Sequence, residues 1–275
     1  MKQIKSILVL VSIALVVCSP SYALEWGKTY GNVAGRDTVF AIQQTSGGGY
    51  VLAGSTYTSA PNGEDAWILM LNADGTVAWQ KSYGGEGTQW AQSIQETTLG
   101  GYIVGCTKRA VSSNEGYDPW ALKLDSQGTI EWKKKYFGGG DDDYLKSIRQ
   151  TPDGGFIAAA ETESFGNGET DVWVLKLNPD GSVDWQNTYG GIYRNPVYSM
   201  EVTADGGYVI ASGASQSGEL CWILKLQADG TIEWQKQCED DGSQALIRDI
   251  RQTQDGGYIG AGQIQHVDAV TWQEA

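Results

Sequence analysis

Ten of the eleven tryptophans in this 275-residue chain fall into two evenly spaced series. Trp26, Trp79, Trp132, Trp185 and Trp234 stand 53, 53, 53 and 49 residues apart, and Trp67, Trp120, Trp173, Trp222 and Trp272 keep nearly the same beat. A fixed period near 50 means one supersecondary unit written several times, and it restricts the chain to a stacked-repeat architecture. The copy between Trp132 and Trp185 shows what the unit is. Its extended runs are Leu145–Thr151, Phe156–Thr162, Asp171–Asn178 and Ser182–Tyr189. Pro152-Asp153-Gly154-Gly155 joins the first two, and Pro179-Asp180-Gly181 joins the last two. Short Val/Ile/Tyr/Trp runs bounded by Asp-Gly turns read as antiparallel strands in hairpins. No segment carries a helical period long enough to compete.

Four antiparallel strands per 50 residues predict an all-β chain, a β-propeller of four-stranded blades. The repeats run 26–78, 79–131, 132–184, 185–233 and 234–275 within one domain, 24–275. Both Trp series, with Tyr50, Tyr102, Phe156, Tyr208 and Tyr258, supply packing between blades, each buried Trp contributing about 4–6 kcal/mol before entropy. The phase of the repeat adds a further expectation. Leu24–Tyr30 reads as a fourth strand with no first three, and Ile247–Trp272 as three strands with no fourth. The N-terminal strand is therefore expected to complete the C-terminal blade and close five blades, removing both open edges. The alternative is a fragment of a larger propeller, since Gln273-Glu274-Ala275 follows Trp272 where other copies continue apolar.

The first 23 residues have a basic start at Lys2 and Lys5, an apolar run to Val17, and small residues at Ser21 and Ala23. This is the pattern of a signal peptide cut near Ala23. Cys18 raises a lipid-anchor reading, which Val17 before it disfavours. Export places the protein in an extracellular or periplasmic compartment. Net charge is −14, and removing Lys2 and Lys5 leaves 17 basic against 33 acidic residues, or −16. That disfavours nucleic acid and anionic lipid as partners. No later segment is apolar enough to cross a membrane, and a monomer is expected.

The phrase W-x-K-x-Y-G-G … D-G-G-Y-I-x-A-G … W-x-L-K-L-x-x-D-G-x-I-x-W resembles tandem repeats of secreted and surface β-propellers of bacteria and archaea, across Leu24–Trp272. Some proteins in that grouping carry an endoglucanase label. Leu175–Trp185 also resembles the tryptophan-docking motif of quinoprotein propellers. Those enzymes are far longer and have a dedicated cofactor pocket, so pyrroloquinoline quinone does not carry over. The resemblance implies a docking role for Trp79, Trp132, Trp185 and Trp234.

Comparing copies separates scaffold from site. The Asp-Gly turns barely change from copy to copy. Loops between second and third strands, and links between blades, do change, and by connectivity they share the opposite end of each blade. Variation there is where recognition can differ. Candidate ligand-binding residues on that side are Arg36, Asp37, Trp90, Tyr117, Asp118, Asp141, Asp142, Asp143 and Tyr193. Trp90 is the one Trp outside both series; it either stacks on a sugar ring or covers its own strand. Asp141, Asp142 and Asp143 offer oxygen ligands for Ca²⁺ or form a solvated acidic loop. No other cofactor is expected. His266 is the only histidine, which leaves a Ser-His-Asp triad dependent on it and excludes a multi-histidine zinc site. No catalytic residue is assigned.

Cysteines give a sharper inference. Cys221 replaces Ala66, Pro119 or Val172 of other copies, and Cys238 replaces Tyr30, Tyr83, Tyr136 or Tyr189. A two-residue turn at Asp229-Gly230 places positions summing to 459 opposite each other, and 221 + 238 = 459. A Cys221–Cys238 disulfide follows, consistent with export, with Cys106 a buried single thiol. The functional expectation is a secreted or cell-surface, non-enzymatic module that binds a glycan, a cation or a surface protein through its variable acidic loops. Two alternatives stay open: a carbohydrate-active hydrolase using loop carboxylates, and a purely structural repeat.

Overall fold

The structure is a computed structural model of the chain. It describes residues 6–10, 14–18, 24–31, 35–57, 63–109, 116–136, 139–214, 220–240 and 243–265. Strands account for its regular structure, and no helix occurs among the described residues. The chain divides into two compact units, 1–135 and 136–275.

In the first unit, β1 (Ser6–Leu10), β2 (Ala14–Cys18) and β3 (Leu24–Thr29) form a three-stranded antiparallel sheet. β4 (Asp37–Gln44), β5 (Tyr50–Tyr57), β6 (Glu64–Leu71) and β7 (Val77–Tyr83) form the first complete blade. β8 (Thr88–Glu96), β9 (Tyr102–Arg109), β10 (Tyr117–Leu124) and β11 (Ile130–Lys135) form the second. In the second unit, β12 (Asp143–Gln150), β13 (Phe156–Thr162), β14 (Asp171–Leu177) and β15 (Val183–Tyr189) form the third blade. β16 (Val197–Val202), β17 (Tyr208–Gly213), β18 (Cys221–Leu226) and β19 (Ile232–Gln237) form the fourth. β20 (Glu239–Asp240), β21 (Ser243–Gln252) and β22 (Tyr258–Gln265) form a three-stranded sheet. Strands in sequence order, all antiparallel, four to a sheet, are the blades of a β-propeller.

Burial explains the strand pattern. The two inner strands of a blade are covered on both faces, so β14 is buried throughout. The fourth strand is an outer strand, and β15 exposes most of its residues. Every first strand also carries a one-residue bulge at the same place, at Phe40, Gln92, Lys146, Tyr198 and Arg248. A bulge turns the following side chains and increases the local twist.

Within each unit, neighbouring blades are joined by one recurring anchor. The hydroxyl of Tyr30 donates to the Gly75 carbonyl at 2.6 Å and that of Tyr83 to the Gly128 carbonyl at 2.6 Å. In the second unit Tyr136 donates to Gly181 at 3.0 Å, and Tyr189 donates to Gly230. Burial pushes the Tyr83, Tyr136 and Tyr189 hydroxyls above their ordinary value, so each stays a donor. Beside the tyrosine, the outer-strand tryptophan packs on the same turn and on the aromatic that opens the second strand. Trp79 meets Tyr102 edge-on at 6.0 Å, and Trp185 meets Tyr208 at 6.3 Å. These turns must be glycine: Gly230 has φ +85°, and a Cβ there would stand 2.8 Å from the Trp185 ring.

The expected partner of Leu24–Thr29, the strand ending at Trp272, lies outside the described residues. Within the first unit β3 pairs along one edge with β2, Trp26 opposite Val17 and Gly27 opposite Val16. The side chains of Trp26 and Trp272 lie outside the described residues.

Candidate functional site

The second and third strands of a blade are joined by loops at the end opposite the Asp-Gly turns, and the links between blades pass there as well. In the first unit, Trp90 and Tyr117 come together at this end. Their rings stack at 5.3 Å and 19°. The Trp90 indole N–H donates to Glu64 Oε2 at 2.8 Å, an oxygen that also accepts from the Ser55 hydroxyl. Arg109 lies 5.3 Å over the Tyr117 ring. One face of Trp90 and its only donor are therefore engaged within the protein. Asp118 is buried and pairs with Lys135 at 2.7 Å. Arg36 is exposed, and its carbonyl accepts from the Tyr57 N–H at 3.1 Å. Asp37 packs against Gly31, where a Cβ would run into its carboxylate.

In the second unit, Asp141, Asp142 and Asp143 point apart. Asp141 is exposed. Asp142 accepts from the Tyr144 hydroxyl at 2.9 Å. Asp143 turns inward, fully buried, and accepts from the Ser164 hydroxyl at 2.8 Å. Alternation along the chain entering β12 sends adjacent carboxylates to different sides. Among the described residues, no three His, Cys, Asp or Glu side chains are gathered to hold a metal ion. Across the loop, burial and then the nearby Asp142 raise the Glu163 carboxyl above its ordinary value.

Tyr193, exposed on the link between the third and fourth blades, borders a cleft. The cleft measures about 400 Å³ and is lined by Gly190, Gly191, Tyr193, Asn195, Ala214, Leu220, Trp222, Gln235 and Gln237. Trp222 is a scaffold tryptophan by sequence, yet here it forms part of a wall. Its indole N–H donates to Gln235 Oε1 at 3.1 Å. Asn195 is buried; its amide donates to the Gly213 carbonyl at 2.9 Å and accepts from the Gly191 N–H at 3.1 Å. Beside the cleft, Cys221 and Cys238 are disulfide-bonded with Cα atoms 5.1 Å apart. Their hairpin keeps the expected register: Trp222 lies opposite Gln237, and a bulge comes only between Lys225 and Leu226.

Sequence reasoning selected Tyr193 but not Trp222, Gln235, Gln237 or Asn195 as site residues. A signal was present in the one short step of the tryptophan series. Phe156 and Trp173 are 17 positions apart, whereas Tyr208 and Trp222 are 14 apart. In the third blade the longer loop carries Phe165, whose ring packs edge-on against Trp173 at 5.2 Å. Between the same two positions the fourth blade has three residues fewer, and residues 215–219 of that loop lie outside the described residues.

No protein-family model matches the chain, and no curated protein matches it. Solved structures do. A protein of unknown function from Dyadobacter fermentans is 12% identical with a TM-score of 0.55, covering 82% of this chain and 74% of that one. A puromycin hydrolase is 11% identical with a TM-score of 0.55, covering 85% of this chain and 36% of its own. A Synechocystis apocarotenoid oxygenase variant is 12% identical with a TM-score of 0.52, covering 87% of this chain and 58% of its own. The chain thus spans about a third of one enzyme and little more than half of the other. At these identities the likeness shows the fold.

Proposed function

We propose that the protein is a secreted or cell-surface β-propeller that binds a glycan in the cleft beside Trp222. The observation that carries this reading is the composition of that cleft. Two aromatic side chains, Trp222 and Tyr193, stand with the amide side chains of Gln235 and Gln237 around about 400 Å³. That volume falls in the range of small-ligand sites. Aromatic faces suit the apolar face of a sugar ring, and amides both donate to and accept from hydroxyl groups. The disulfide and the leader pattern support export, with cleavage near Ala23. No helix among the described residues is long and apolar enough to cross a membrane. The residue pattern resembling secreted tandem-repeat propellers points the same way.

A glycan array with the purified protein tests this. Tyr193→Ala and Gln237→Ala are expected to weaken binding at least tenfold, and Trp90→Ala to leave it unchanged. The reverse pattern would move the site to the Trp90–Tyr117 stack, and no binding to any glycan would end the proposal. A second reading, a carbohydrate-active hydrolase, is favoured by Glu163, a raised carboxyl beside Asp142. A raised carboxyl is what a general acid needs. Release of reducing sugar from β-glucans, abolished by Glu163→Gln, would establish it; no release would remove it.

A further inference from the structure

The Asp171 carboxylate begins β14 and is 1% exposed. Its Oδ2 accepts from the Asn167 and Gly168 N–H groups at 2.8 and 3.2 Å. Its Oδ1 is buried with no hydrogen-bond partner in the protein. No Lys or Arg side chain forms an ion pair with it among the described residues. Leaving a buried carboxylate oxygen without a donor or a countercharge costs several kcal/mol as a general matter.

What surrounds that oxygen is more oxygen. A Cβ on Gly190 would run into the Asp171 carboxylate and stand 2.6 Å from Asn195 Oδ1. A Cβ on Gly168 would stand 2.5 Å from the Gly191 carbonyl, 2.6 Å from the Tyr193 carbonyl and 3.3 Å from Asp171 Oδ1. Asp171 Oδ1 is thus common to two spots, one bounded by Asn195 Oδ1 and the other by the Gly191 and Tyr193 carbonyls, and each is left open by a glycine. The Asn195 amide cannot be turned to supply a donor, because its Nδ2 donates to Gly213 and its Oδ1 accepts from Gly191. The loops are held in place by an isolated parallel bridge between Thr170 and Arg194. The first unit repeats the theme: a Cβ on Gly84 would run into Asp65 and stand 2.6 Å from Gln89 Oε1, another buried oxygen with no partner.

We propose that Asp171 Oδ1, Asn195 Oδ1 and the carbonyls of Gly191 and Tyr193 form a Ca²⁺ site. Asp171 Oδ1 is the oxygen without a partner, and a hard cation there can be shared with the three further oxygens beside it, whereas a water donates only two hydrogen bonds. Carboxylate, amide and carbonyl oxygens are the ligand set of Ca²⁺, whereas Mg²⁺ demands near-ideal octahedral geometry and usually keeps several waters. With one charged ligand the site belongs to the weak class of extracellular modules, with dissociation constants of about 10⁻⁴–10⁻³ M. This site differs from the Asp141–Asp143 run, and it adjoins the cleft, sharing Gly191, Tyr193 and Asn195 with its lining.

The test uses the full chain after treatment with EDTA. Tb³⁺ emission sensitised by the protein's aromatics, displaced by millimolar Ca²⁺ but not by equal Mg²⁺, is expected. Ca²⁺ is also expected to raise the midpoint of thermal unfolding. Asp171→Asn should abolish Ca²⁺ displacement, Asn195→Ala should weaken it about tenfold, and Asp141→Asn should leave it intact. If Asp171→Asn does not fold, Asn195→Ala and the wild-type displacement curve decide. No Ca²⁺-dependent change in the wild type, or full retention in both site variants, overturns the proposal and leaves ordered water as the occupant.

Discussion

The third and fourth blades are built from the same phrase, yet in one the scaffold tryptophan packs against a ring of its own loop and in the other it borders a cleft. In the third, Val172 lies opposite Tyr189, and Phe165 covers Trp173. In the fourth, the pair opposite becomes Cys221–Cys238, the loop is shorter, and Trp222 borders a cleft. The indole-to-glutamine bond is the same in both, Trp173 to Gln186 and Trp222 to Gln235. The difference shows how a repeat acquires a site without altering its frame. Residues are removed from a loop and a covalent brace replaces an anchoring tyrosine.

The largest expected effect tests the shared part. Trp173→Ala and Trp222→Ala should each cost about 3–5 kcal/mol, as for other buried aromatic-to-alanine changes, measured by urea unfolding. A much smaller loss at Trp222 would mean that it serves the cleft more than the core. Next is the brace. Reducing the Cys221–Cys238 bond, which closes a loop of sequence separation 17, should lower stability by about 3 kcal/mol. Installing the third blade's pair, Cys221→Val with Cys238→Tyr, should recover part of that loss.

Glycines give a smaller and more local contrast. Gly230→Ala meets both a left-handed φ of +85° and the Trp185 ring, so it should cost about 1–3 kcal/mol. Gly191→Ala has nothing within 4 Å and should cost a few tenths of a kcal/mol by comparison. The smallest effect is in acid. Burial opposes ionisation of Asp153, but hydrogen bonds from Lys176, Thr151 and the Gly155 N–H together bring it to about 2 from 3.8. Thr203 and then Lys225 do the same for Asp205, also to about 2. Both folded values lie below the unfolded ones, so the contribution is complete above about pH 4 and is lost as pH falls towards 2. Lys176→Met and Lys225→Met should each flatten the acid limb of a stability–pH curve. Equal limbs in wild type and variants would show that these pairs add nothing, as exposed ion pairs often do.

The frame of this protein was legible in its sequence because stacking forces the same solution at every junction. A tyrosine that must reach a glycine carbonyl, and a tryptophan that must lie on that turn, cannot drift, so they recur visibly. The disulfide was legible for a related reason: both partners change in the same copy, and hairpin arithmetic sets them opposite. The bulges at Phe40, Gln92, Lys146, Tyr198 and Arg248 were not legible, because the extra residue has no fixed chemistry. Nor was the fate of three consecutive aspartates, since only the strand's facing decides that Asp143 turns in and Asp141 does not. The cleft was hardest to read. Its Trp222 and Gln235 occupy repeat positions, as Trp173 and Gln186 do in the third blade, and a search of the variable loops passes over them. Asp171 was hidden for a like reason: it looks like one more repeat position until its unpaired oxygen is seen.

Cys106 lies on β9, opposite Ala91 and Trp120, with no exposed surface. Burial raises its thiol above the ordinary value, so in the folded state it is both unreachable and uncharged. With Cys221 and Cys238 bonded, it is the one free thiol among the described side chains. A pulse of alkylating reagent, read at the Cys106 peptide, therefore keeps time on the breathing of a single blade. Mass spectrometry of the labelled fraction would report how often the first unit opens, while the second, locked by its own sulfur bond, stays silent.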